Sequence, residues 1–168
     1  MNKIGVFYGS TTGTTEDVAR WIAEKLNVPF AHIFDVAKLT EALVSEYDVL
    51  VLGTSTWGAG ELQDDWYDGV KVLKKCDLSH KFIALFGCGD SDSYADTFCD
   101  GIGIIYEELK DTKCKFVGAT DTADYTFDSS IAVVDGKFVG LPIDEVNEDS
   151  KTDERICAWV KQVKQEIN

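Results

Sequence analysis

Three nearly all-apolar segments recur along the chain, and each is followed by a short polar loop and then by a helical pattern. These segments are residues 4–8, 48–54 and 82–87. A strand that is apolar on both faces has to be covered on both sides, as in the parallel sheets of α/β proteins. The pattern therefore predicts an α/β fold in three layers, with helices on both faces of a doubly wound, five-stranded parallel sheet.

The segments between these strands have the periodicity of amphipathic helices. After the first loop, Val18, Ile22 and Leu26 form one apolar stripe, which Pro29 ends. We expect a capping box from Thr14 and Asp17 at its start. The remaining helices are predicted over residues 38–45, 63–75, 95–110 and 153–167, and the remaining strands over residues 30–36 and 115–119.

Residues 121–142 interrupt this alternation because they lack a helical stripe. Asp135 and Gly136 lie between β-type residues, which is a hairpin signal. We expect a small β insertion beside the last strand, and a structural flap is favoured over a separate ligand site. The length of 168 residues predicts a single domain over residues 1–168.

The charge and the cysteines limit the function classes. The formal net charge of −14 argues against nucleic acid and anionic membrane surfaces and favours basic protein partners. The five cysteines are odd in number and lack Cys-x-x-Cys spacing, which disfavours disulfides and a zinc site. With a strand directly after Met1 and no apolar run of membrane-spanning length, the expected location is cytoplasmic, without membrane insertion.

The loop after the first strand is rich in small and hydroxyl-bearing residues. It consists of Ser10, Thr11, Thr12, Gly13, Thr14 and Thr15. Backbone amides, hydroxyls and a helix N-terminus together predict a phosphate site. The loop lacks the lysine of a Walker A motif, the spacing of a dinucleotide fingerprint, the cysteine of a small phosphatase and the acids of a receiver domain. It can hold a monophosphate but has no means to transfer it.

The loops after the second and third strands add aromatic residues at the same predicted crevice. Trp57 stands among Ser55, Thr56, Gly58, Ala59 and Gly60, and Tyr94 follows Cys88, Gly89 and Asp90. An indole can lie flat against a planar ligand, and Tyr94 could cover the other face. A flat ring with a phosphate tail indicates flavin mononucleotide (FMN).

These motifs together resemble those of the long-chain flavodoxins, over essentially the whole chain. The matching stretches are residues 7–15, 56–66, 87–90 with 94–96, and 136–141. The resemblance implies strand order 2-1-3-4-5 and non-covalent FMN. It places the phosphate on residues 10–15, the flavin ring between Trp57 and Tyr94, and its edge at the backbone of residues 58–60 and 88–90. Thr97, Cys99 and Val146 depart from the residues common in the family.

The resemblance also implies a low-potential, one-electron carrier that shuttles between semiquinone and hydroquinone, a monomer without catalytic or metal-binding residues of its own. The expected partners are basic and transient: a flavin-containing, NADPH-dependent reductase and low-potential oxidoreductases. They would dock on acids near the crevice, which are Glu61, Asp64, Asp65, Asp68 and Asp90. The alternatives are a flavin enzyme of the same fold, such as a quinone reductase, and a non-redox binding module.

Overall fold

The computed structural model describes residues 2–168, in which strands and helices alternate along the chain. In chain order the elements are β1 Ile4–Gly9, α1 Thr14–Leu26, β2 Ile33–Asp35, α2 Glu41–Ser45, β3 Val49–Trp57, β4 Glu61–Leu62, α3 Asp65–Lys74, β5 Phe82–Cys88, α4 Asp100–Leu109, β6 Lys115–Val117, β7 Thr120–Asp121, β8 Val133–Val134, β9 Lys137–Phe138, β10 Leu141–Ile143 and α5 Thr152–Glu166.

The main sheet has its strands side by side in the order β10-β5-β3-β1-β2. All of these pairs are parallel, with Phe7 opposite Leu52 and Leu52 opposite Leu85 in the register of the central strands. Each crossover from one strand to its parallel neighbour places a helix on a face of the sheet. The predicted three-layer fold and its strand order are confirmed.

The two faces of the sheet are covered by different helices, as the all-apolar strands require. On one face α1 and α5 pack on inward residues such as Val6, Val51 and Phe86. On the other face α3 and α4 pack on Phe7 and Leu52 and their neighbours. Because both faces are buried, the polar loops at the carboxyl ends of the strands are left as the place where a ligand can approach the sheet.

The fifth strand position is divided between two short strands. β6 pairs with the beginning of β5, and β10 pairs with its end. The insertion therefore covers residues 118–140 and lies within this strand position, so both ends of the expected range of 121–142 differ from the observed ones. The predicted hairpin is confirmed, because β8 and β9 are antiparallel and are joined by Asp135 and Gly136.

Several element ends differ from the sequence prediction. The helix expected over 95–110 begins only at Asp100, since Cys99 has a left-handed φ of 54° and residues 94–99 form turns. The predicted capping box is wrong: Gly13, at φ 98°, is the N-cap of α1, and Thr14 lies inside the helix. Within residues 2–168, no helix combines the length and apolarity needed to cross a membrane.

Candidate functional site

Four segments meet at one crevice along the carboxyl edge of the sheet. Three of them are the loops after β1, β3 and β5, and the fourth is the loop after β10. The residues that line the crevice are Thr12, Thr14, Thr15, Ser55, Thr56, Trp57, Gly58, Cys88, Gly89, Asp90, Tyr94, Thr97, Cys99, Glu145 and Val146. The crevice lies where strand order reverses on either side of β1, which is the usual ligand position in open α/β sheets.

The first loop leaves the beginning of α1 open toward the crevice. The N-cap Gly13 has no side chain, and within residues 2–168 no side chain caps this helix. The amides of a helix's first turn have no carbonyl before them in the helix. Ser10 shapes the loop, because its hydroxyl accepts a hydrogen bond from the Gly13 amide at 3.0 Å. The open amides and the positive end of the helix dipole favour an anion here.

Thr15 is the buried polar residue of this loop, only 1% exposed. Among the described residues its hydroxyl is one of the few buried polar atoms without a regular hydrogen-bond partner. It lies near the Cys88 thiol, a weak hydrogen-bonding group. A buried hydroxyl without a partner costs free energy, so this position fits a ligand atom that accepts a hydrogen bond from the hydroxyl.

The second loop carries the more buried of the two crevice aromatics. Trp57 is the last residue of β3, is 39% exposed and donates from its indole N–H to the Ser55 hydroxyl at 2.8 Å. This bond fixes the ring orientation at the rim. Gly58 follows at φ 51°, a left-handed conformation that glycine adopts at little cost. After this turn the chain reverses direction, and β4 pairs antiparallel with the end of β3.

The third loop is fastened by two carboxylates. Asp90 accepts hydrogen bonds from the Ser93 amide at 2.9 Å and from the Asn147 side chain at 2.8 Å. These bonds hold the pKa of Asp90 below its usual range, and the bond from the Ser93 amide contributes most. Asp144, which is fully buried, accepts from the Ser91 amide at 3.1 Å. The loop that bears Tyr94 is thereby tied to the loop after β10.

Two thiols line the inner part of the crevice. Burial raises the pKa of Cys88 to about 12 and raises that of Cys99 well above its ordinary value. Both therefore stay protonated at neutral pH and act as small apolar groups. Neither thiol is therefore an activated nucleophile.

The structure brings together most of the residues that the sequence predicted for the site. Twelve of the seventeen line the crevice, namely Thr12, Thr14, Thr15, Ser55, Thr56, Trp57, Gly58, Cys88, Gly89, Asp90, Tyr94 and Thr97. Five lie in the same loops without lining it, namely Ser10, Thr11, Gly13, Ala59 and Gly60. Tyr94 stands at the rim and is 50% exposed.

The sequence analysis did not name Glu145, and it named Cys99 and Val146 only as departures from the family, although all three line the crevice. Glu145 and Val146 follow β10, the second half of the divided strand. Their signal was available, because a crevice residue is expected directly after a strand's carboxyl end. It was missed because the last strand was placed at residues 115–119, before the insertion.

An open α/β sheet with an anion cradle and two rim aromatics defines a protein built to bind a phosphorylated, planar ligand. The family model described as flavodoxin matches residues 6–159. The chain belongs to the flavodoxin family. Members of this family are electron-transfer proteins and not enzymes, so the expectation of a carrier is confirmed and the quinone-reductase alternative is not supported.

The relatives cover the whole chain. A flavodoxin of Buchnera aphidicola is 42% identical over 164 residues, which are 97% of this chain and 96% of that one. Flavodoxin 1 of Escherichia coli is 41% identical, covering 100% of this chain and 96% of its own length. A point mutant of the Fusobacterium nucleatum flavodoxin, solved bound to flavin mononucleotide, superposes with a TM-score of 0.91 at 32% identity, over 99% of this chain and 97% of that chain.

Proposed function

We propose that this protein binds FMN non-covalently in the crevice and carries electrons one at a time between redox partners. The observation that carries the proposal is the buried, unpartnered Thr15 hydroxyl beside the open amides of α1, within the described chain. Bound FMN supplies the redox chemistry, and we place the working step at low potential, between its half-reduced and fully reduced forms. In this proposal residues 1–168 form one cytoplasmic, monomeric, long-chain flavodoxin domain.

The phosphate would be held by neutral donors. We assign it to Thr12, Thr14 and Thr15, with Ser10 and Gly13 shaping the loop around it. None of the crevice-lining residues is Lys or Arg, and the nearby Arg20 is paired with Glu16 at 2.7 Å. Amides, hydroxyls and the helix dipole would therefore balance the phosphate charge.

The flavin ring would lie between the two rim aromatics. Trp57 supplies one flat face and Tyr94 the other, and both are partly exposed at the same rim. We assign the ring edge to backbone groups of residues 58–60 and 88–90, and the sugar-like chain to Thr97 and its neighbours. Partial exposure of the ring would let an electron reach a partner without opening the protein.

A titration with FMN followed by stepwise reduction tests this function. The protein is expected to quench FMN fluorescence at one equivalent, and the reduction is expected to proceed in two separate one-electron steps in visible spectra. A colourless protein after FMN addition and desalting would support the non-redox binding module. A single two-electron bleach, together with turnover of quinone by NADH, would support the enzyme.

The Gly58–Ala59 peptide is expected to turn when the flavin is reduced, so that its carbonyl would accept a hydrogen bond from the ring nitrogen that gains a hydrogen. In Gly58→Val the left-handed conformation becomes unfavourable by about 1–2 kcal/mol. We expect the potential of the first one-electron step to fall by roughly 40–90 mV, since 59 mV corresponds to a tenfold change for one electron. Gly58→Asn is the matched control because Asn tolerates positive φ. Unchanged potentials in Gly58→Val, measured by spectroelectrochemistry, would refute this role.

The partner surface is proposed at the crevice end of the molecule. The helices begin at this end, and the first turns of α1, α3 and α5 carry the acids Glu16, Asp65, Asp68 and Asp153. Lysines occupy the last turns of α1, α3 and α5, at the opposite end. Asymmetry of this kind orients a basic partner toward the flavin, and such encounters weaken as salt screens them.

The docking proposal predicts a rate that depends on ionic strength. With a basic NADPH-dependent flavoprotein reductase as electron donor, reduction of the FMN-loaded protein is expected to slow severalfold between low and physiological salt. Replacing the exposed Asp64 and Asp68 by Asn is expected to make the reduction rate depend less on ionic strength. The matched control replaces Asp111 and Asp135, which lie away from the crevice. An equal change in both double variants would contradict a docking site at this end.

A further inference from the structure

The carboxylate of Asp100 lies between two segments that are distant in sequence. Asp100 is the first residue of α4 and is only 6% exposed. One oxygen, Oδ1, accepts a hydrogen bond from the Ile131 amide of the insertion at 2.9 Å. The other, Oδ2, lies against Gly60 in the second loop, where an added Cβ would come within 2.6 Å of it. One side chain thus touches both the insertion and the loop that follows Trp57.

The residue after Asp100 makes a second connection to the same loop. The Gly101 amide donates to the Thr56 hydroxyl at 3.0 Å. A Cβ at Gly101 would come within 2.8 Å of the Ser55 carbonyl oxygen, so α4 begins in close contact with the end of β3. The second loop therefore rests on the start of α4, with Asp100 beneath Gly60.

The insertion holds the start of α4 and the preceding turn from the outer side. The Asp128 and Ser129 amides donate to the Ala95 carbonyl at 2.8 and 3.0 Å, and the Ser129 hydroxyl donates to the Asp96 carbonyl at 2.7 Å. Phe98, fully buried in this turn, packs against aromatic residues of the insertion. The turn between Tyr94 and Asp100 is therefore fixed by the insertion in addition to its own backbone bonds, from the Thr97 amide to the Tyr94 carbonyl at 3.3 Å and from the Asp100 amide to the Thr97 carbonyl at 3.2 Å.

We propose that Asp100 is a positioning residue that fixes the turn at residues 58–60 against the insertion, so that the insertion sets the shape of the crevice wall formed by Trp57 and Gly58. That this wall contacts a flavin rests on the proposed function. The connection that Asp100 makes between the insertion and Gly60 does not depend on it. Burial raises the pKa of the Asp100 carboxyl. The geometry requires one acceptor oxygen for the Ile131 amide and a second atom that fills the space against Gly60.

Amide hydrogen exchange on the protein without flavin tests the link directly. Asp100→Ala removes the acceptor of the Ile131 amide and leaves a gap beneath Gly60. Exchange is expected to become about tenfold faster at residues 58–61 and 131–132, which corresponds to the loss of one buried hydrogen bond. Exchange in the centres of β3 and β5 is expected to stay unchanged. Asp100→Asn keeps an oxygen for Ile131 and is expected to restore the wild-type pattern.

Asp96→Ala is the matched control, because it removes the same charge from an exposed side chain four residues earlier. It is expected to leave exchange at residues 58–61 unchanged. A uniform increase throughout the protein in Asp100→Ala, an unchanged rate at residues 58–61, or the same effect in Asp96→Ala would each overturn the proposal.

The flavin readouts separate this link from the proposed function. With FMN bound, Asp100→Ala is expected to release the flavin about tenfold faster and to shift the first one-electron potential, whereas Asp96→Ala should do neither. Failure of the wild-type protein to bind FMN would refute the proposed function and leave the exchange result standing. Normal FMN binding with unaltered exchange at residues 58–61 would refute the link alone.

Discussion

Thr15→Val is expected to weaken FMN binding about 10- to 100-fold while making the protein without flavin slightly more stable. The hydroxyl of Thr15 is buried and has no regular partner within residues 2–168. A hydrogen bond to a charged group contributes about 1.5–3 kcal/mol, which sets the size of the lost affinity. Without a ligand the same hydroxyl is a penalty, so replacing it by a methyl group should raise the free energy of unfolding by about 1 kcal/mol.

The opposite signs make the prediction specific. Affinity is measured by quenching of FMN fluorescence, and stability by urea unfolding of the flavin-free protein. Riboflavin, which has no phosphate, should bind Thr15→Val and wild type equally. Thr126→Val is the matched control, because Thr126 is an exposed threonine of the insertion that does not line the crevice. An equal loss of riboflavin affinity, or an equal effect of Thr126→Val, would contradict a phosphate role for Thr15.

Asp144→Ala is expected to lower the free energy of unfolding by about 3–4 kcal/mol. The fully buried carboxylate accepts from the Ser91 amide and hydroxyl, the Val146 amide, and the amide and side chain of Asn147. Truncation leaves several of these donors without an acceptor, and each costs about 1–3 kcal/mol before water compensates. The change is measured as a lower denaturant midpoint with an unaltered slope.

The same substitution should open the crevice. Asp144 ties the loop that carries Tyr94 to the loop that carries Glu145 and Val146, so FMN affinity is expected to fall at least about tenfold. Asp144→Asn keeps one acceptor oxygen and should have an intermediate effect. Asp92→Ala, an exposed carboxylate of the same loop, is expected to stay within about 0.5 kcal/mol of wild type. A stability change in Asp144→Ala as small as that control would contradict the network.

The strands and the helices at their centres were predictable because their signal is local. An apolar run such as that of β3 is buried wherever the chain places it, and a stripe such as Val18, Ile22 and Leu26 has to face a sheet. The helix ends were less predictable. Threonine is a common N-cap residue, which favoured Thr14. Gly13 takes that position instead, because its left-handed backbone turns the chain out of the loop.

The candidate site shows the same difference between features with a local sequence signal and features that depend on distant contacts. Composition and spacing predicted the phosphate loop after β1 and the two rim aromatics, and the family resemblance supplied the other site residues. Twelve of the seventeen predicted residues line the crevice. Glu145 was not among them, because the sequence analysis did not predict β10, the strand that precedes it after the insertion divides the fifth strand position. The pairing of β10 with the end of β5 is a contact between residues more than fifty positions apart.

The sequence by itself determined the α/β alternation, the anion-binding loop and the two aromatics, since each of these follows from residue type and short-range spacing. Only the tertiary structure decided that the Thr15 hydroxyl is buried without a regular hydrogen-bond partner among residues 2–168, that Asp144 joins two loops, and that Asp100 connects the insertion to Gly60. The physical reason is that hydrogen bonding and burial of a polar group depend on which distant segments meet it, and no local pattern specifies that meeting.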